Sequence, residues 1–207
     1  MGGPCRLKVP GKLGSRAPPC TDNFQLVKFM FDGKEWHSVE QCYQAYKFAE
    51  VSIQDKLRKT LPYADEKASG HGMRVWSQGQ RYANVRKDWD AVKVEVMYLA
   101  NRAKYAQNPD FQEELLSTGC VEIDGAPSTS WTTKTGQSVN WSLFNGLIQS
   151  RLREELRPVE EQDTALIESI TNRFRDYCEG EGGVQLPLPG HEDELIFPSQ
   201  ASPSGGG

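Results

Sequence analysis

The chain has 207 residues, 37% of them hydrophobic, and a net charge of −4. That length suffices for one domain with a substantial core, and the acidic balance excludes a generally basic nucleic-acid coat. Five widely separated cysteines without a Cys-x-x-Cys, and three histidines without ligand spacing, exclude a zinc knuckle and a disulfide framework.

Residues 1–21 are rich in Gly and Pro and read as a flexible arm. They carry no apolar h-region, so they are no secretory signal, and no apolar run approaches the roughly 20 residues of a membrane helix. With the cysteine usage, this predicts a cytoplasmic or nuclear protein free of membrane. Residues 29–36 read as a β-hairpin turning at Asp32-Gly33. A helix follows at once, capped by Ser38 with Gln41 three places on. On it Glu40, Gln44 and Lys47 fall at i, i+4 and i+7 along one stripe, and Val39, Cys42, Tyr43, Tyr46 and Ala49 form a separate apolar face. The stripe has two readings: a catalytic wall of acid, amide and amine, or a solvated Glu–Lys ladder.

Residues 53–60 form a short helix punctuated by Pro62, and Gly70-His71-Gly72 marks a loop. Residues 89–107 are the strongest helix of the chain, with Val92, Val96, Leu99 and Ala103 at helical spacing and Asn108-Pro109 as the stop. A short helix over 111–116 ends at Gly119. Val121-Glu122-Ile123 is a strand candidate, and 124–140 reads as a polar loop. Residues 143–156 are helical with Leu143, Leu147, Leu152 and Leu156 inward. A last helix over about 161–178 turns Leu166, Ile170, Phe174 and Tyr177 to one face. The prediction is a single, mainly helical α+β domain over 22–178, with a short hairpin and small strands, and with 157–178 packed on it. Residues 179–207 read as a disordered acidic tail, with five acids and no Lys or Arg, containing a Glu192–Phe197 acidic-apolar cluster. Residues 54–107 instead hold 11 Lys/Arg against 6 Asp/Glu, a balance that suits phosphates of a nucleotide or nucleic acid.

The helix at Ser38 resembles the signature of the NADAR family, the YbiA-like N-glycosidases. Trp36, Ser38, Val39, Glu40, Tyr43, Gln44, Ala45, Lys47 and Phe48 all fit its pattern. Farther on, Trp76, Ala103-Lys104-Tyr105-Ala106-Gln107-Asn108-Pro109 and Leu115-Leu116-Ser117-Thr118-Gly119 resemble later family motifs, so the likeness runs from about residue 23 to 156. The pattern departs where Ser128 stands near an expected aspartate and Thr132 replaces a glycine, so no catalytic aspartate carries over. Trp131 is kept. Asn140 aligns with the family's asparagine across a one-residue gap.

The resemblance implies cleavage of an N-glycosidic bond between ribose C1′ and an exocyclic amine. Two substrate classes go with it: guanine carrying ADP-ribose, in DNA or nucleotides, and ribosylamino-pyrimidine phosphates of riboflavin biosynthesis. The absence of a fused deaminase or reductase domain and the basic middle favour the first. A non-catalytic ADP-ribose-binding module is the alternative class. Glu40 and Lys47 are the candidate catalytic pair. Glu40 would be the general acid/base. Lys47 would be a Schiff-base nucleophile or a charge-stabilising contact. Gln44, Trp76, Trp131 and Asn140 are the candidate substrate contacts, the tryptophans as stacking plates or core anchors and Asn140 as a base contact or helix cap. Trp89 is assigned to the core. No metal or cofactor is called for, and activity should survive EDTA. Loss on chelation, restored by Mg²⁺ or Zn²⁺, would expose a missed site.

Overall fold

The computed structural model describes residues 3–183. Seven α-helices and three small antiparallel sheets share one hydrophobic core within those residues. The first sheet joins β1 (Arg6–Val9), β2 (Lys12–Arg16) and β5 (Ile123–Asp124) in the order β2-β1-β5, with Leu7 opposite both Ser15 and Ile123. The second is the β3–β4 hairpin (Phe29–Phe31, Lys34–Trp36). The third is β6–β7 (Ser130–Thr132, Ser138–Asn140).

The helices are α1 (Val39–Tyr46), α2 (Val51–Arg58), α3 (Ala68–Gly79), α4 (Trp89–Ala106), α5 (Pro109–Leu116), α6 (Trp141–Glu155) and α7 (Thr164–Gly180). The predicted turn at Asp32-Gly33 forms with both residues at positive φ, 52° and 65°, as a two-residue hairpin loop requires. Tyr46 Oη donates to Asp32 Oδ2 (2.7 Å) and ties this turn to the end of α1. The long helix α4 supplies the spine of the core, and α7 lays Ile170 and Phe174 against it and α6.

Four expectations are corrected. The amino-terminal stretch expected as a flexible arm forms β1 and β2, and Cys5, Ala17 and Cys20 are buried in the core. Its Gly and Pro serve a tight hairpin, with Gly11 and Gly14 at φ 75° and 72°, and the long-range pairing with β5 has no local signature. Gly70-His71-Gly72, expected as a loop, lies inside α3, because a bare Gly72 lets Phe24 press against the helix backbone where a Cβ would collide with the ring. The expected loop 124–140 contains the β6–β7 hairpin. On α6 the inward face is Trp141, Phe144, Ile148 and Leu152, while Leu143 and Leu147 are only half-buried. Of the predicted tail, residues 184–207, including the Glu192–Phe197 cluster, lie outside the described residues.

A polar network runs through the middle of the molecule. The fully buried Lys104 amine donates to Cys20 O (2.6 Å) and Asn101 Oδ1 (2.9 Å). Asn101 Nδ2 donates to Asn23 Oδ1 (3.0 Å), Asn23 Nδ2 to Asn145 Oδ1 (3.1 Å), and Tyr105 Oη to Gln149 Oε1 (2.6 Å). Burial lowers the Lys104 pKa to about 8. The sign follows directly. Between pH 8 and the ordinary 10.5, the unfolded chain holds this proton and the folded chain does not, so raising pH favours the fold. The stability of the wild type relative to Lys104→Met should therefore rise across that window, by on the order of 3 kcal/mol. Urea denaturation of both proteins at stepped pH measures it; a flat difference would mean that Lys104 titrates normally.

Candidate active site

α1 owes its start to Ser38, whose Oγ accepts from Gln41 N (3.1 Å). Gln41 in turn uses Oε1 to accept from His37 N (2.8 Å), one residue before the cap, and Nε2 to donate to Arg58 O (2.9 Å) and Thr60 O (3.0 Å) at the end of α2. Gln41 thus also binds carbonyls at the end of a neighbouring helix. All eight residues of α1 are buried. Ala49, predicted on the apolar face, lies past the helix end and is exposed.

The stripe on α1 is no solvated ladder. Glu40 is 0% exposed and Gln44 1%. Gln44 Nε2 donates to Glu40 Oε1 (2.8 Å). Glu40 Oε2 and Gln44 Oε1 have no hydrogen-bond partner among the described residues. Burial raises the Glu40 pKa above the usual carboxylate range, although the Gln44 bond and the Lys47 charge pull it back. Burial likewise lowers the pKa of the half-buried Lys47 amine, with the Glu40 carboxylate opposing. Burial thus pushes Glu40 toward its acid form and Lys47 toward its free amine, the directions that general acid and nucleophilic chemistry use.

Gln44 and Lys47 open onto a cleft of about 250 Å³. Its wall is aromatic: Tyr43 from α1, Trp76 from α3, Trp89 from the start of α4, Trp131 from β6 and Trp141 from the start of α6. These rings support one another, with Tyr43 at 4.8 Å from Trp89 and 5.4 Å from Trp141, and Trp131 at 5.4 Å from Trp141. Lys93 also lines the cleft, its amine 2.8 Å from Asp90 Oδ1 and 4.1 Å from the centre of the Trp131 ring. Gln80, Thr129 and Ser130 complete it. A larger hollow of about 380 Å³ lies between β7 and α7, but it touches none of the stripe residues.

The structure therefore gathers Gln44, Lys47, Trp76 and Trp131 around one cleft and places Glu40 one helical turn behind Gln44. Asn140 is not in the wall. It caps α6, accepting from Leu143 N (2.9 Å). Sequence reasoning missed Lys93, Gln80 and Trp141, and it gave Trp89 and Tyr43 to the core, whereas both are buried and also face the cleft. Lys93 had one available signal, since it stands four places from Trp89 on the same helix face.

Gly79 fixes the amide. A Cβ there would collide with Gln44 Oε1, so α3 can approach α1 this closely only with glycine. Gly79→Ala should push Gln44 off Glu40. It should destabilise the fold by about 1–3 kcal/mol through overpacking, outweighing alanine's helix preference. Without the Gln44 bond, the Glu40 carboxyl should titrate still higher by carbon-13 NMR. An unchanged titration would show that Gln44 accommodates the methyl group.

The NADAR domain profile matches residues 15–129. The chain is 34% identical over 102 residues to a riboflavin biosynthesis protein of Vibrio vulnificus, a match covering 49% of this chain and 25% of that protein. It is 30% identical over 101 residues to the N-glycosidase YbiA of Escherichia coli, covering 49% of this chain and 58% of YbiA. The NMR structure of the E. coli YbiA protein aligns with a TM-score of 0.49 at 26% identity, over 67% of this chain and 77% of that one. An N-glycosidase of Nostoc punctiforme is 31% identical over 144 residues, covering 67% of this chain and 85% of its own length. The chain thus spans less than two thirds of the Vibrio protein and of YbiA.

Proposed function

This chain belongs to the NADAR family, and from that premise we propose that it is an N-glycosidase, a hydrolase that cleaves the bond between ribose C1′ and an exocyclic amine. The observation that carries the reading is Glu40. It is a carboxyl held wholly out of water, its pKa raised by burial, one turn behind a cleft whose wall bears Lys47. The names of the E. coli and Nostoc relatives support the same class of reaction.

The substrate we propose is guanine whose exocyclic amine carries ADP-ribose, in DNA or as a nucleotide. Five aromatic side chains suit a purine ring, each stacked face worth about 1–3 kcal/mol. The amines of Lys47 and Lys93 suit a pyrophosphate. The second reading, a ribosylamino-pyrimidine phosphate, is favoured by the riboflavin protein of Vibrio. The aromatic wall is larger than a single pyrimidine needs, which ranks it second. A pure ADP-ribose-binding module would leave this buried carboxyl without a role.

The chemistry follows from the two shifted groups. Glu40 donates its proton to the ribose ring oxygen, Oε2 being the oxygen without a partner. The C1′–O bond of the ring breaks as the nitrogen lone pair forms a C1′=N iminium. The unprotonated form of the Lys47 amine adds to C1′, a proton passes from its nitrogen to the departing nitrogen, and the base leaves as its free amine. Water then hydrolyses the lysine Schiff base, returning the amine to Lys47 and a proton to Glu40 and releasing the ribose aldehyde, which recloses. In the rival route Glu40 protonates the leaving amine and then activates water, while Lys47 only balances charge.

Mass analysis of products from ADP-ribosyl-guanine nucleotides and from riboflavin intermediates decides the substrate. Turnover of the latter alone would reverse the order. Glu40→Gln should lower kcat by about 10²–10⁴-fold with little change in binding. The rate should fall as pH rises through the raised Glu40 pKa, because the acid form is then lost, and this alkaline limb should vanish in Glu40→Gln. Lys47→Arg should abolish turnover, and borohydride should trap a ribose adduct on Lys47. A Lys47→Arg protein that keeps substantial rate and yields no adduct refutes the covalent route and leaves the acid/base route standing.

A further inference from the structure

Helix α3 is a wall shared by two hollows. Trp76 and Gln80 line the cleft, while Met73, Arg74, Ser77, Gln78 and Arg81 line a second, open hollow of about 480 Å³, together with Thr60. The carboxyl-terminal end of α7 comes back to the same cleft. Glu181 Oε1 accepts from Lys134 N (2.9 Å), and Gly183 N donates to Cys178 O (3.0 Å). A Cβ on Gly183 would stand 2.5 Å from Ala91 Cβ, so the backbone there lies directly on the first turn of α4. Trp89, two residues before Ala91, is in the cleft wall. The described chain therefore stops at the rim of the cleft that α3 also lines.

The α3 hollow is cationic in a chain that is acidic as a whole. Residues 56–87 contain eight Lys/Arg and two Asp/Glu, against a total of −4 for the chain. Glu66, one of the two acids, is already held by Arg74 at 2.6 Å. Lys59, Lys67, Arg81 and Lys87 are exposed and make no ion pair among the described residues. Apolar side chains stand beside them. Arg74 donates to Leu61 O (2.9 Å) and lies 3.9 Å from the centre of the Tyr63 ring. Leu61 is 55% exposed, Met73 52% and Tyr63 67%. An occupant that carries acids next to apolar residues would satisfy both features. The sequence holds such a segment. Residues 184–207, which lie outside the described part, have three acids and no Lys or Arg. The acids are consecutive, Glu192-Asp193-Glu194, and Leu195-Ile196-Phe197 follows at once.

We propose that residues 192–197 dock on the α3 hollow of their own chain, and that residues 184–191 thereby cross the mouth of the cleft. The three acids meet Arg81 and its neighbouring lysines, and Leu195, Ile196 and Phe197 meet Met73, Leu61 and Tyr63. The reach is sufficient. The nine residues 184–192 span up to about 30 Å, whereas the twelve residues of α3 are only about 18 Å long from end to end. The contact need not be strong. A tethered segment meets its site at an effective concentration on the order of 1 mM, so a contact with a Kd of about 1 mM as a free peptide is half occupied within the chain. The docking does not depend on the N-glycosidase reading. Its effect on turnover rests on that reading, because a strand across the mouth lowers the fraction of chains open to substrate.

The test is zero-length carbodiimide coupling of the full chain, with mass analysis of the linked peptides. One or more of Glu192, Asp193 and Glu194 should be joined to Lys59, Lys67 or Lys87. In a mixture of nitrogen-15 and unlabelled protein, both halves of each link should carry the same label. Mixed labels would assign the hollow to the tail of a second copy and overturn docking within one chain. Leu195→Ser/Phe197→Ser keeps every carboxylate and should lower the yield of these links by about 10-fold, through the lost apolar contact. An undiminished yield would mean that charge alone gathers the segment, and the docked geometry would fall. Amide signals of Met73, Ser77 and Arg81 should shift between the wild type and Glu192→Lys/Asp193→Lys/Glu194→Lys, and unmoved signals would also overturn the proposal. On an ADP-ribosyl-guanine nucleotide, Leu195→Ser/Phe197→Ser should lower KM and leave kcat unchanged. An unchanged KM would remove the strand from the cleft mouth. Links and shifts without any cleavage of that nucleotide leave the docking standing and sink the reaction reading. Cleavage without links or shifts does the reverse.

Discussion

A short helix with a mostly polar sequence is buried on every side, and the rest of the molecule is arranged to satisfy it. α1 packs against α2, α3, α4 and β4, and none of its eight residues is left to solvent. Each polar group on it would cost several kcal/mol in an apolar interior without a partner. Ser38 and Gln41 avoid that cost by bonding backbone groups, the latter stitching α1 to the end of α2. Gln44 avoids half of it through Glu40. The atoms left over, Glu40 Oε2 and Gln44 Oε1, are buried side-chain oxygens on α1 without a partner among the described residues. Unsatisfied buried oxygens are an expensive arrangement in a folded interior.

The second buried network reaches the same helix from behind. Glu40 N donates to Asn23 O (2.9 Å), and the Asn23 side chain is gripped by Asn101 and Asn145. Asn101 also receives Lys104, whose other acceptor is the Cys20 carbonyl. A chain of hydrogen bonds therefore connects the amino-terminal segment, α4 and α6 to the start of α1. The order of the first turn of α1 depends on contacts made from 78 to 122 residues away in sequence. A lysine without a carboxylate in direct contact is tolerated there because neutral oxygens can receive its protons and because its pKa falls close to neutrality.

The electrostatics of the cleft depend on the same burial. Full burial of Glu40 and partial burial of Lys47 disfavour their charged forms, so both groups are pushed toward their neutral forms. Lys93 differs in having Asp90 beside it and the Trp131 ring above it.

The sequence by itself determined the local events. Ser38 and Gln41 announced the start of α1, Asp32-Gly33 the hairpin, Asn108-Pro109 the end of α4, and the spacing of Glu40, Gln44 and Lys47 their common stripe. Each depends on interactions within a few residues, where capping, turn geometry and helical period act. Whether that stripe faced water or the interior was not a local matter, and spacing allowed both. Tertiary structure decided it by closing α3 onto α1 at Gly79, which needs a glycine in one helix to meet a glutamine in another. Long-range contacts likewise turned Gly70-His71-Gly72 into helix under Phe24 and paired the Gly-rich amino terminus with β5. They also brought five aromatic residues from four helices and a strand around one cleft. The physical reason is that burial is set by what lies on the other side of a surface. For a polar residue that neighbour is most often distant in sequence, so its environment, and with it its pKa and its chemistry, is settled only when the chain folds.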